Sequence, residues 1–246
     1  MSESPLSPHD EIEVIEIQKM IPAVKVEKDL TQGSIFKHII LLALPTMATM
    51  TLQTSYDLVD MYWVGSLGPA AISAVTVFGF MFMAFVVFNQ IIGVGSVSLI
   101  SRYYGARDLE NTKTVIAQTF IFKFFIGVIV TILGLMFSKD FYRLFGSSDE
   151  VIILGSQYAK IFFIGVPILF SGFTLTTSFK GIGDMMKPFY IYLIATLINI
   201  ILDPLLILGI GPFPQLGIKG AAIASVFAQS IAVSYTHLTL PTKRIV

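Results

Sequence analysis

Two carboxylates in an apolar setting are the residues of this sequence best placed to do chemistry. Asp57 and Asp60 stand within Leu41 to Gly65, LLALPTMATMTLQTSYDLVDMYWVG, a run long enough to cross a bilayer as a helix. An acid inside such a helix is costly unless it is paired, wetted or neutralised, and it therefore points to ion or proton handling. Gln53, Asp57 and Asp60 fall at i, i+4 and i+7, which puts all three on one helical face. That face is expected to look into the protein or a water-filled cavity. A further acid, Asp203, lies in a later apolar run, with Asn199 one turn before it on the same face and Pro204 directly after it. Pro204 cannot donate to the Ile200 carbonyl, so a backbone oxygen is freed beside the acid; Pro45 and Pro167 do the same in their own runs. Two acids with amide, hydroxyl and backbone oxygens near them can load and release a proton or a hard cation. The plainer reading is a structural polar contact between helices.

The elements that must position these groups are membrane helices. The chain has 246 residues, 54% of them hydrophobic and 13% charged, with a mean hydropathy of +0.80. An ordinary soluble domain carries about 25% charged residues, so the composition is that of an integral membrane protein. Net charge is zero and no basic field suits nucleic acid. With no cysteine there is neither a disulfide nor a thiolate metal site, and His9, His38 and His237 are scattered without ligand spacing. Residues 1–33 are acidic and contain proline, and read as a disordered cytoplasmic tail. Hydropathy then predicts six helices near 36–64, 71–100, 112–137, 150–178, 188–210 and from about 217, an all-α six-helix bundle.

Lys and Arg concentrate in the tail and in the second and fourth connections (Arg102, Arg107, Lys113, Lys180, Lys187), whereas the other connections hold Lys139, Arg143 and Lys219. The N-terminus is therefore expected on the cytoplasmic side of the cell membrane. Helix rise then sets depth: Asp60 lies about 7 to 8 Å below the outer end of helix 1, Asp203 about 10 Å below that of helix 5, and Ser225 about 9 Å down helix 6. Asp60, Asp203 and Ser225 thus fall near one level, Asn199 joins them one turn deeper, and the four form the candidate site, with Asp57 either a further titrating member or a residue near the outer water.

Other motifs carry plainer readings. KGIGDMMKP, residues 180–188, lacks phosphate-loop spacing and reads as a tight turn; GVGS at 93–96 reads as a close helix crossing. Lys123 and Lys160 are expected to snorkel or pair.

Several of these segments resemble the N-terminal half of a MATE (multidrug and toxic compound extrusion) transporter. Leu44, Pro45, Gln53, Tyr56, Asp60 and Gly65 match the pattern of its first helix, and Arg102, Gly105 and Ala106 its second connection. Lys180, Gly181, Gly183, Asp184 and Pro188 resemble its fourth connection, while NIILDP (199–204) and GIKGAAIAS (217–225) are similar to helices five and six. The resemblance implies one lobe of a twelve-helix transporter that exports amphipathic, often cationic organic compounds against entry of Na⁺ or H⁺, and no other cofactor. It implies coupling at Asp60, Asn199, Asp203 and Ser225, the first three being Na⁺ ligands if sodium is the ion. Its implied partners are the bilayer, the substrate, and a missing C-terminal lobe or second copy of this chain. Against the family pattern Asp57 stands in place of Asn, Lys180 in place of Arg and Ser225 in place of Thr. Phe173 and Thr176 stand where some relatives have Asn. Residues 234–246, SYTHLTLPTKRIV, fit neither a membrane helix nor the family, and read as non-native sequence joined to a truncated frame.

Three other readings are open. A lipid or polysaccharide flippase would need several basic residues facing its cavity. An intramembrane aspartyl protease would need the acid of Gly181 to Asp184, GIGD, inside a helix. A non-transporting structural half-protein is the fourth.

Overall fold

The computed structural model describes residues 33–239, and side chains through residue 231. The expected tail at 1–33 therefore lies outside the described residues, apart from Gly33, as does the last part of the expected non-native segment, residues 240–246. Six helices are described: α1 (Ile35–Gly65), α2 (Pro69–Gly105), α3 (Leu109–Leu144), α4 (Asp149–Gly181), α5 (Met186–Leu208) and α6 (Ile218–Thr239). The first five are long and apolar enough to cross a membrane, and α6 has a shorter apolar part, Ile218–Ile231. The helices are all-α as expected, and α2 to α4 run past the predicted ends. At 37 residues α2 is about 55 Å long, more than the hydrocarbon requires.

Two compact units divide the chain at Ile40. Of the first, residues 33–40 are described, where the His38 amide donates to the Ser34 carbonyl at 3.2 Å. The second unit, from Leu41 onward, holds the bundle. Short turns join its helices, and their chemistry is local. Asp108 caps α3 by accepting from the Asn111 amide at 3.0 Å and its side-chain nitrogen at 2.6 Å. Asp184 accepts from the Met186 and Lys187 amides, both at 3.2 Å, and pairs with Lys187 Nζ at 2.8 Å. The 180–188 segment is thus the tight turn expected of it.

The bundle is organised around α4. It packs against α3, α2 and α6, and 17 of its residues are buried. Aromatic rings fill its contact with α2: Phe78 meets Phe162 at 4.9 Å and Tyr158 at 5.0 Å between centroids, and Phe82 meets Phe162 at 5.0 Å. Lipid tails are as apolar as these side chains, so the stabilisation comes from dispersion and interlocking shape rather than from removal of water.

The contact of α3 with α4 shows how proline is accommodated. Pro167 cannot donate to the Phe163 carbonyl; the Thr131 hydroxyl of α3 donates to that oxygen instead, at 2.6 Å. Gly127, one turn earlier on α3, permits the approach, because a Cβ there would lie 2.6 Å from Pro167 Cα. The α5–α6 corner is equally close. Gly209 ends α5 at φ 73°, and the Leu216 and Gly217 amides return to the Leu206 and Ile207 carbonyls at 2.9 and 3.2 Å. A Cβ on Gly220 would overlap the Leu206 carbonyl oxygen. Ala221, Ala222, Ala224 and Ala228 complete a fully buried small-residue face on α6.

Candidate functional site

That corner sets the level of Asp203 on α5 against that of Ser225 on α6. Both are buried, at 0% and 3% exposure, as is Asn199 at 0%. The Asn199 side-chain nitrogen donates to Asp203 Oδ1 at 3.0 Å, which joins residues one turn apart on the same face, as the sequence predicts. Asp60 comes from α1 and is 7% exposed. Ser225 adjoins both the Asp60 carboxyl and the Tyr56 hydroxyl, and Asp60 and Asp203 are close enough for their charges to interact. Asp60, Asn199, Asp203 and Ser225 are therefore brought together from three helices.

The set leaves polar atoms without partners, the Tyr56 hydroxyl among them. Asp60 Oδ1, Asn199 Oδ1 and Asp203 Oδ2 are buried without a hydrogen-bond partner. Buried polar atoms in folded proteins are nearly always partnered, and three unpartnered acceptors at one place form an oxygen-only environment that a cation or proton would satisfy. Among the described residues no three of His, Cys, Asp and Glu stand together, so two carboxylates with an amide and a hydroxyl make up the donor set. These oxygens suit Na⁺ or a proton and are too hard for a thiophilic metal.

The remaining candidates are placed differently. Asp57 and Gln53 share the face of Asp60 but are exposed, and Asp57 acts on Asp60 only through its charge. The reason is that α1 buries just Asp60 and Val64, both near its C-terminal end, where Met61 and Trp63 also pack on the core. Pro45 is half-buried on α1, about four turns before Asp60 and away from the cluster; Pro204 lies in α5 directly after Asp203. Phe173 and Thr176 are half-buried on α4.

Sequence reasoning missed Tyr158 and Gln229. Tyr158 of α4 is 4% exposed and lies near enough to Asp60 and Asp203 for their charges to act on it, and Gln229 of α6 lies near the Tyr56 hydroxyl. The available signal for Tyr158 was depth: nine residues into α4 puts it about 13 Å from that helix's start. It was hidden because a tyrosine reads as one more apolar letter. The expectation for Lys123 is corrected. It is 1% exposed, belongs to neither of the two ion pairs among the described residues, and points into the bundle rather than to an interface.

The MatE family model matches residues 45–205, the stretch that carries five of these six helices. The chain belongs to the MatE family. Among curated relatives of this MatE chain, one from Bacillus subtilis (strain 168), named "Probable multidrug resistance protein YoeA", is 39% identical over 199 residues, covering 80% of the chain and 43% of the relative. A protein of Shewanella oneidensis named "FAD transporter" is 28% identical over 223 residues, covering 89% and 49%. Among solved structures, a multidrug resistance MATE family transporter of the MOP superfamily in an outward-facing conformation superposes with a TM-score of 0.77 at 31% identity, covering 86% of this chain and 46% of that one. The chain spans about half the length of the curated relatives it matches. These relatives are transporters and not enzymes. Asp184 lies in the turn between α4 and α5, outside any helix, which removes the protease reading.

Proposed function

We propose that this MatE chain forms one lobe of a cation-coupled exporter and carries its ion-coupling site. Asp60, Asn199, Asp203 and Ser225 hold the coupling ion, Na⁺ or H⁺, with Tyr56, Tyr158 and Gln229 around them. One observation carries the reading: three buried oxygens, Asp60 Oδ1, Asn199 Oδ1 and Asp203 Oδ2, share one place and lack partners. If Na⁺ is the ion, those same three residues are its ligands. The exported compound is an amphipathic organic molecule of a class that is often cationic, and Asp57, exposed on the same helical face one turn away, adds negative charge suited to a cationic one. A second six-helix lobe completes the transporter, supported by a chain that covers about half of its relatives. The N-terminus faces the cytoplasm, on the distribution of Lys and Arg.

Ion binding by the purified chain tests this directly. Calorimetric titration with sodium chloride, paired with proton uptake reported by a pH dye, should show one bound Na⁺ or one exchangeable proton. Asp60→Asn and Asp203→Asn should each abolish that binding with helical content unchanged. Both variants binding like the parent chain would end the assignment.

A further inference from the structure

The coupling site leaves one carboxylate of α1 outside it. Asp57 is exposed and stands three residues before Asp60, so their Cβ atoms are about 5 to 6 Å apart on one face. Neither ion pair among the described residues includes it. An exposed acid on a membrane helix must meet water, because lipid would leave its charge unsolvated. Gln53, one turn before it, is exposed on the same face, and Met50, two turns before it, is 63% exposed. On α5 the half-buried Tyr192 lies near enough for the charge of Asp57 to act on it.

Charge is unbalanced here. Asp57 acts on Asp60, and Asp60 on Asp203, so the three acids form one linked group. The sequence has no Lys or Arg between Lys37 and Arg102, between Lys187 and Lys219, or from 220 to 231, so the membrane-spanning parts of α1, α5 and α6 carry none. The buried ammonium of Lys123 lies on α3 over Gly93 of α2, which Thr177 of α4 also meets. Lys160 is exposed, two residues past Tyr158 and therefore on the far side of α4. A single coupling ion neutralises one of the three carboxylates. Asp57 is the one a larger partner can reach, since Asp60 and Asp203 are 7% and 0% exposed.

The face suits an organic cation better than a second metal ion. A small hard cation seeks several oxygens at once, and Asp57 and Gln53 supply few. A positive charge on an apolar frame needs one carboxylate and leaves its frame to Met50, whose side chain adapts to shape.

We propose that Asp57 is the contact for the positive charge of an exported organic cation, and that through this one carboxylate the cation and the coupling ion exclude each other. The inference rests on the coupling site proposed above. With Asp57 free, its negative field falls on Asp60 and tightens the hold on the ion. A cation seated at Asp57 cancels that field, and the ion is held less. Linkage makes the effect mutual: the ion weakens the cation by the same factor. The two need share no ligand, since charges one helical turn apart still interact where water is partly excluded. Each departure then strengthens the site left for the other, which is what antiport requires.

The test uses the whole chain in maltoside micelles, with tetraphenylphosphonium as the organic cation and triphenylphosphine oxide as its neutral counterpart. Ion binding is measured as for the coupling site, with and without each compound, and phosphonium binding by equilibrium dialysis against protein-free micelles. Expected in the parent chain is about a tenfold loss of ion affinity at saturating phosphonium, the same factor in the reverse titration, and no change with the oxide. Asp57→Asn should weaken phosphonium binding about tenfold and bring the remaining antagonism below about twofold, with helical content unchanged, and Asp57→Glu should restore both. Equal phosphonium binding by the parent chain and Asp57→Asn overturns the proposal, as does antagonism reproduced by the oxide, which would be steric. Ion binding that is lost in Asp60→Asn but indifferent to phosphonium overturns this inference and leaves the coupling site standing, whereas a parent chain that binds no ion overturns both.

Discussion

Helices α1 and α4 are alike in sequence and opposite in use. They have 31 and 33 residues, and each contains one proline, yet α1 buries two residues and α4 buries 17. Apolarity does not separate them, because lipid welcomes both. Small residues do, since the hydroxyls of both helices bond carbonyls of their own helix. Glycines at 155, 165 and 181 let Tyr142, Val226 and Ile100 press onto the backbone of α4. Helix α1 has no glycine before Gly65, and its hydroxyls turn inward on their own helix: Thr46, Thr49, Thr51, Thr54 and Ser55 each bond the carbonyl four residues back, at 2.7 to 3.1 Å. Such back-bonding loosens a helix and joins it to nothing. In the membrane, then, burial follows close approach at small residues. The half of the site carried on α1 is held at one end only, whereas the half on α5 and α6 is clasped.

Substitutions can break that contrast at graded cost. Phe163→Ala, in the ring cluster on α4, should cost about 3 kcal/mol, read as a lowered Tm by circular dichroism in micelles. A loss as small as that of an exposed α1 residue would show that α4 is not the organising helix. Thr131→Val leaves the Phe163 carbonyl without its donor from α3 and should cost about 1 kcal/mol by the same measurement. Asp203→Asn keeps an acceptor for Asn199 and removes an uncompensated charge, so Tm without ion should hold or rise while ion binding is lost. Met50→Ala on α1, where the side chain is 63% exposed, should stay within about 0.5 kcal/mol.

The smallest effect lies in the α2–α3 turn. The Asn111 side chain, and next its amide, hold the Asp108 carboxyl below the usual aspartate range. A group whose folded value is depressed stabilises the fold above its unfolded pKa, and that contribution is lost as pH falls through the folded value. Asp108→Ala should therefore lower Tm slightly at neutral pH and match the parent in acid; equal Tm at both would show the cap to be idle.

Much of this was legible in the sequence. Hydropathy alone indicated the number and order of the helices, because a bilayer imposes a minimum apolar length on every span. Asp60, Asn199, Asp203 and Ser225 could be placed at one level because helix rise is constant. Rotation was not legible in the same way: Asp57 and Gln53 share a face with Asp60, yet only Asp60 lies where α1 meets the bundle. Tyr158 was invisible among the aromatics, and Lys123 was expected to escape or pair, since nothing in a linear chain shows that three helices will close around it.

The bond from Thr131 to the Phe163 carbonyl bears on motion. Moving α4 away from α3 at Pro167 would require that bond to break and the Gly127 contact to open, so the two helices are tied at that level. The two helices share a pinned elbow, and a tilt of α4 pulls on α3 at that point.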